Sequence, residues 1–231
     1  MNSVLEPESH HHVLHHKLKN AFAPTYLTIL SIIQAVALTD LAGIVSAKYQ
    51  QFTVVNWLLV LLTFCVLIIV WNAYTIQAGV WEWIPDMRDA AMPFIVGALE
   101  LFLAHAITLS MSYWLLGLAG IATIGALGAW YMHWRAKKEA ENVQLLRLLT
   151  RHHLLFALYY TGGAVLLLLL AWTSRVGGFD AAERVQGVLA VGTALFVGIY
   201  LGGAMIISHL YWRKTIGYAR TTGKLPSLRE A

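Results

Sequence analysis

Six long apolar stretches constrain this chain more than any other feature. They cover about residues 22–47, 53–78, 90–116, 118–134, 153–173 and 185–212, with a turn predicted at "LGLAGI" between the third and the fourth. A helix that crosses a bilayer needs about 20 mostly apolar residues. Charged residues make up only 12% of the chain, against about 25% in soluble proteins. The sequence therefore predicts an all-α, polytopic membrane protein built as a bundle of six transmembrane helices.

The basic residues predict how this bundle is oriented. If the N-terminus is cytoplasmic, 13 of the 16 lysines and arginines fall on the cytoplasmic side, as the positive-inside rule requires. We therefore expect both termini in the cytoplasm and the protein in the bacterial inner (plasma) membrane. The chain divides into a His-rich N-terminal segment (1–21), a transmembrane domain (22–212) and a basic tail (213–231). Because topology accounts for the positive charge, we expect the lipid bilayer, and no nucleic acid, as a partner.

Two of the twelve acidic residues, Asp40 and Glu100, fall within the predicted spans. Acids at membrane depth are costly, and they are kept where they face protein or water, so they are candidates for a functional site. Counted at 1.5 Å per residue from the cytoplasmic ends, Gln34 and Glu100 lie roughly 18 and 15 Å deep. Asp40 and His105 lie roughly 27 and 22 Å deep on the same scale. The sequence thus predicts two polar levels shared by the first and third helices.

These residues suggest a channel or transporter for a small cation or a proton. The pathway would use Asp40, Glu100, His105 and Gln34, with Thr108 on the same arc of the third helix. An acid beside a histidine at one depth is what a proton relay or a cation site can use. The alternative is a structural hydrogen-bonded cluster that joins the two helices.

The first two spans also carry a motif likeness. Asp40 closes the stretch from Gln34 to Leu38-Thr39-Asp40, and Trp71-Asn72 lies near the end of the second span. This resembles bacterial six-helix relatives of the lysosomal potassium channel. In that family a basic residue precedes Phe-Ser-Asp in the first helix, and a Trp-Asn-like pair ends the second. The resemblance implies six helices, cytoplasmic termini and a cation channel, by analogy of fold.

The histidines raise two cofactor hypotheses. If the N-terminal segment is helical, two pairs spaced four residues apart could bind a divalent metal ion such as zinc; these are His11 with His15 and His12 with His16. Haem b needs histidines from two helices to meet. Three candidates for it lie near the cytoplasmic ends of their spans, namely His133, His153 and His209. Interfacial histidines without a cofactor explain the same positions, and we expect no bound cofactor.

Two other classes of function remain open. One is a haem-bearing membrane electron-transfer subunit. The other is a non-catalytic scaffold or partner subunit, in a homo-oligomer or with another membrane subunit, for which Gly198-xxx-Gly202 would provide helix contacts. An enzyme is not favoured, because the chain shows no paired nucleophile and base, no phosphate-binding loop and no acidic metal cluster.

Overall fold

The chain folds into six α-helices in a computed structural model that describes residues 7–80, 87–138, 140–176 and 183–222. Within these ranges the residues are helical apart from short connections, and they contain no strand. The helices are α1 (Pro7–Lys48), α2 (Val54–Val80), α3 (Met87–Ala106), α4 (Met111–Ala136), α5 (Ala140–Val176) and α6 (Glu183–Thr222); a 3₁₀ turn, Tyr49–Gln51, follows α1.

Each of the six helices contains a segment long and apolar enough to cross a membrane. These segments are Pro24–Gln51, Val54–Ala78, Met87–Ala106, Met111–Ala136, His153–Arg175 and Ala190–Gly217. The predicted fold class, an all-α bundle with six membrane-crossing helices, is therefore confirmed. The side of the membrane on which the termini lie stays a prediction.

The helix contacts form a ring. α1 packs on α2 and α3, α4 packs on α3 and α5, and α6 closes the ring by packing on α2 and α5. We call the end at which α2, α4 and α6 finish the basic end, since most lysines and arginines lie there in the sequence. The other end is called the opposite end.

α4 is the most buried of the membrane segments, with half of its most apolar window inside the bundle, against 22% for α6. Its buried face repeats small residues every three or four positions, at Ala119, Ala122, Ala126 and Ala129. Small side chains allow neighbouring helices to approach closely. Nearer the opposite end, the fully buried Trp114 indole N–H donates to the Thr63 hydroxyl of α2 at 2.9 Å, which ties α4 to α2 across the ring.

The turn between α3 and α4 lies earlier than the sequence predicted, since α3 ends ten residues and α4 begins seven residues before the expected positions. α3 ends at Ala106, and Ser110 caps α4 by accepting a hydrogen bond from the Tyr113 backbone N–H. The expected turn contained Gly117, but that glycine lies inside α4 and packs against Phe102 of α3. The prediction was wrong because glycine in membrane helices often marks close helix contact rather than chain reversal.

The helices also run beyond the predicted spans. α1 begins at Pro7, within the His-rich segment, and α6 continues to Thr222, well into the tail predicted to begin at residue 213. The rest of that tail, residues 223–231, lies outside the described residues. Charged residues end an apolar span, but they do not end a helix, because lysine and arginine have good helix propensity.

α5 and α6 are joined by a reciprocal contact of two tyrosines and two glycines. The rings of Tyr159 and Tyr200 are stacked, 5.0 Å between centroids and 4° between planes. The Tyr159 hydroxyl donates to the Tyr200 carbonyl at 2.6 Å. Tyr159 occupies the space where Gly203 would carry a Cβ, and Tyr200 occupies that of Gly163. Of the predicted pair Gly198 and Gly202, a Cβ at Gly198 would lie 3.6 Å from Leu62 of α2, whereas one at Gly202 would meet nothing within 4 Å. A contact of this pair with a second subunit stays a prediction.

Candidate functional site

Gln34 of α1 and Glu100 of α3 form a hydrogen-bonded pair in the middle of the bundle. The Gln34 amide nitrogen donates to both carboxyl oxygens of Glu100, at 2.7 and 2.8 Å. Glu100 is completely buried and Gln34 is 6% exposed. Glu100 forms no ion pair with a lysine or arginine in the part of the chain that the structure describes. The sequence placed these two residues at one depth, and the structure brings them into direct contact.

Asp40 and His105 form a second pair, nearer the opposite end. His105 Nε2 lies 3.3 Å from Asp40 Oδ2, with the His105 side chain 61% exposed and that of Asp40 29% exposed. The sequence also paired these two residues by depth. Thr108 is not on the helical arc proposed for it, since it lies in the turn after α3, where its hydroxyl donates to the His105 carbonyl at 3.1 Å.

A third acid lies inside a membrane helix, near the basic end, and was missed from the sequence. Asp89 is in the first turn of α3, and its Oδ2 accepts from Arg135 Nη1 of α4 at 2.7 Å. Both side chains are largely buried, 14% exposed for Arg135 and 11% for Asp89. The same Arg135 nitrogen lies 3.2 Å from the Tyr131 hydroxyl. The sequence placed Asp89 outside the spans, whereas it lies in the first turn of a helix that is long and apolar enough to cross a membrane.

Two tyrosines lie between Asp89 and Glu100. Tyr26 of α1 and Tyr74 of α2 contact each other through their rings, whose centroids are 5.7 Å apart and whose planes are inclined by 59°. Tyr26 interacts electrostatically with Asp89, and Tyr74 does so with Glu100. The tyrosine pair therefore lies near both acids, and it lines one cavity together with Asp89.

Together these residues form what we call the polar column, which consists of the pairs Asp89–Arg135, Tyr26–Tyr74, Gln34–Glu100 and Asp40–His105. Sixteen residues separate Asp89 from His105 on α3, which is about 24 Å of helix. The hydrocarbon core of a bilayer is about 30 Å thick. The polar column therefore extends through most of the membrane-crossing length of the bundle.

A cavity of about 330 Å³ lies beside the polar column, in the half of the ring toward the basic end. All six helices contribute to its wall, from Tyr26 of α1 to Tyr200 of α6. Asp89, Tyr26 and Tyr74 belong both to this wall and to the polar column. The part of the polar column toward the basic end therefore borders a space that can hold water or a small molecule.

The histidines proposed for haem are only partly brought together. The rings of His133 and His153 are stacked, with centroids 5.4 Å apart and planes inclined by 20°. His153 Nε2 is engaged with the Ala129 carbonyl at 2.8 Å, while His209 is exposed. Two axial haem ligands point their nitrogens at one iron from opposite sides, whereas stacked rings lie side by side. These residues therefore do not fit a haem as they stand.

The metal hypothesis concerns residues whose side chains lie outside the described part of the structure. His11, His12, His15 and His16 fall within the helical backbone of α1, which meets the condition that the segment be helical. Among the side chains that are described, no group of three histidine, cysteine or acidic residues is placed to hold a metal ion. Metal binding at the N-terminal segment stays a prediction.

Helix geometry contained a signal for the missed acid. Asp89 and Glu100 are eleven residues apart, which at 100° per residue places them within about 20° of one another on α3. Pro93, Val96 and Ala104 share that buried face. Hydropathy alone placed Asp89 outside the third span, because the apolar stretch begins at residue 90.

Comparison with known proteins gives no further assignment. The chain matches no protein-family model, no curated protein and no solved structure.

Proposed function

We propose that this membrane protein moves protons across the bilayer along the polar column, with Glu100 as the central proton-binding group. The observation that carries the proposal is a completely buried carboxyl group, Glu100, which among the described residues is hydrogen-bonded to the neutral side chain of Gln34 alone. Ionisable groups at this depth are rare and mark proton relays or ion pathways by default. A carboxyl group can take up a proton from one side and release it to the other.

The chemistry of the pair favours protons over metal cations. Gln34 directs its N–H group, a hydrogen-bond donor, at both oxygens of Glu100. Small hard cations require several oxygen ligands around them. Since a donor occupies the position where a cation would need an acceptor, the pair as arranged handles protons better than sodium or potassium.

Groups that can exchange protons lie on both sides of Glu100. Toward the basic end, Tyr26 and Tyr74 have hydroxyl groups that can accept one proton while donating another. Toward the opposite end, His105 follows Glu100 by five residues, about 7.5 Å of helix rise, and contacts Asp40 at 3.3 Å. The resemblance to six-helix cation channels, in which an acid on the first helix is matched by Asp40, supports transport as the class of function.

Proton flux into proteoliposomes tests the proposal directly. Purified protein is reconstituted with a pH-sensitive dye inside the vesicles, and a potassium diffusion potential drives proton entry. We expect Glu100→Gln to lower the flux at least about tenfold, since positioned proton-transfer groups contribute roughly 10²–10⁴-fold. Asp40→Asn should lower the flux less, because Asp40 is partly exposed and water can substitute for it.

A matched control is available next to Asp40. Thr39→Val alters an exposed residue whose hydroxyl donates to the Ala35 carbonyl of the same helix, so the flux should not change. Wild-type vesicles that leak no faster than protein-free vesicles would contradict the proposal, as would unchanged flux in both acid variants. A potassium or sodium flux that depends on Glu100, with no proton flux, would replace protons by a metal cation.

The proposed orientation places the basic end in the cytoplasm of a bacterial cell, in its inner membrane. The count of lysines and arginines supports it. Reporter enzymes fused to the C-terminus, one active only in the cytoplasm and one only outside it, test the orientation. Activity of the external reporter alone would reverse the assignment.

A further inference from the structure

The cavity toward the basic end has the dimensions of a binding site for a small molecule. Its volume of about 330 Å³ lies at the lower end of the 300–1,000 Å³ that ligand pockets usually enclose. Aliphatic side chains of α2 and α4 form much of the wall, among them Val66, Val70, Leu118 and Ile121. Such a wall favours an apolar ligand, since burial of apolar surface contributes roughly 25 cal/mol per Å².

One polar side chain on this wall has hydrogen-bonding capacity to spare. Gln77 of α2 is half-buried, and it lines both the main cavity and a smaller one of about 20 Å³ beside it. Its amide forms no hydrogen bond with the other residues that the structure describes. A primary amide offers donors on its nitrogen and an acceptor on its oxygen, which complements a hydroxyl group.

The rest of the wall selects against charge and in favour of an aromatic ring. Within the described part of the wall, the charged side chains are Arg88 and Asp89, both in the first turn of α3 at the basic end. A charged ligand in the apolar body of the cavity would lose its hydration without compensation. Phe156 and Tyr160 line the cavity as a tilted aromatic pair, 4.6 Å between ring centroids, and aromatic rings associate favourably in such geometries.

We propose that this cavity binds an uncharged, hydroxylated aromatic molecule, with its ring between the aliphatic wall and the Phe156–Tyr160 pair and its hydroxyl group at the Gln77 amide. The cavity shares Asp89, Tyr26 and Tyr74 with the polar column, but ligand binding in it does not require proton transfer at Glu100. A binding measurement alone tests it, so that its failure and that of the transport proposal are distinguishable.

Equilibrium dialysis of the full chain in lipid nanodiscs, with radiolabelled α-naphthol as the probe, tests the proposal. Empty nanodiscs correct for partition into lipid. Three competitors isolate the features that matter: naphthalene lacks the hydroxyl group, α-naphthoate carries a negative charge, and decanol replaces the rings by a chain. We expect saturable α-naphthol binding that is about 2- to 10-fold tighter than that of naphthalene, the range for one net hydrogen bond.

Substitutions in the cavity wall test where α-naphthol binds. Val70→Phe adds a ring to the cavity wall and should weaken α-naphthol binding at least about tenfold, while Ile68→Phe, on the exposed face of the same helix, should not. Should Val70→Phe fail to fold, Ala204→Leu fills the same cavity from α6. Gln77→Met keeps the shape of the side chain and should make the affinities for α-naphthol and naphthalene equal.

Several results would overturn the proposal. These are the absence of saturable binding, binding that Val70→Phe and Ile68→Phe weaken equally, and tighter binding of α-naphthoate or decanol than of α-naphthol. An undiminished preference for α-naphthol over naphthalene in Gln77→Met would remove the Gln77 amide from the site and with it the proposed recognition.

Discussion

The hydrogen-bonded pair at the centre of the bundle makes a quantitative prediction about stability. Gln34→Leu removes both hydrogen bonds to a carboxyl group that has no exposed surface. Hydrogen bonds to charged groups contribute about 1.5–3 kcal/mol, whereas those between membrane helices average about 0.6 and reach about 1.7 kcal/mol. Because Glu100 is fully buried and accepts both bonds, their combined contribution should lie at the upper end of the values for membrane helices. We therefore expect Gln34→Leu to lower the free energy of unfolding by about 2 kcal/mol.

A double-mutant cycle separates the pair from the effect of each substitution alone. Replacing both partners by leucine removes the buried polar groups together, which can be nearly neutral. Gln34→Leu combined with Glu100→Leu should therefore cost about 1.5 kcal/mol less than the two single losses added together. The assay is SDS titration of the protein in mixed micelles, followed by circular dichroism.

A neutral hydrogen bond of equal burial serves as the comparison. Thr63→Val removes the acceptor of the Trp114 indole N–H without changing the shape of the side chain, and should cost about 1 kcal/mol or less. Single losses at positions 34 and 100 that add within about 0.3 kcal/mol would refute the reasoning, since they would mean that the carboxyl group of Glu100 does not depend on Gln34.

Two further stability predictions use the same titration. Gly163→Ala places a methyl group against the Tyr200 ring and should lower the free energy of unfolding by about 1–3 kcal/mol. In the control Gly162→Ala, the methyl group meets open space, so this variant should be neutral or stabilised by up to about 1 kcal/mol. Equal effects of the two substitutions would contradict the stacked contact. Arg135→Met takes the guanidinium away from Asp89 and should cost about 1–3 kcal/mol, less than a fully buried pair because both side chains keep some exposure. Adding Asp89→Asn should restore part of that loss; no restoration would show that the ion pair contributes little.

The depth of side chains along a helix could be predicted from the sequence because the rise per residue is fixed. Gln34 with Glu100 and Asp40 with His105 were paired by counting along their helices, and both pairs are in contact. The small residues that recur along the α4 sequence are likewise typical of a tightly packed helix. These features depend on one helix at a time and on a regular period.

Features that depend on a second helix were not predictable in this way. Asp89 directly precedes an apolar stretch and was therefore assigned to a loop. Its ion pair with Arg135 of α4 allows it to lie within the membrane segment. The Tyr26–Tyr74 contact requires the rotation of α1 against α2, which hydropathy does not contain. The α3–α4 turn was misplaced because the sequence marks glycines without distinguishing helix contacts from turns.

The distance along the chain between the partners of the central pair has a consequence for how the protein enters the membrane. Gln34 and Glu100 are 66 residues apart. At a synthesis rate of about 5–20 residues per second, Glu100 is therefore synthesised roughly 3–13 s after Gln34. α3 has the lowest mean hydropathy of the six segments, 1.4, and α2 has the highest, 2.7. The ribosome therefore delivers the least apolar helix after a strongly apolar neighbour is in place and after α1 can offer Gln34 to Glu100. Membrane integration of α3 should then depend on α1, and glycosylation mapping of a chain that lacks α1 would show α3 translocated or left outside the bilayer.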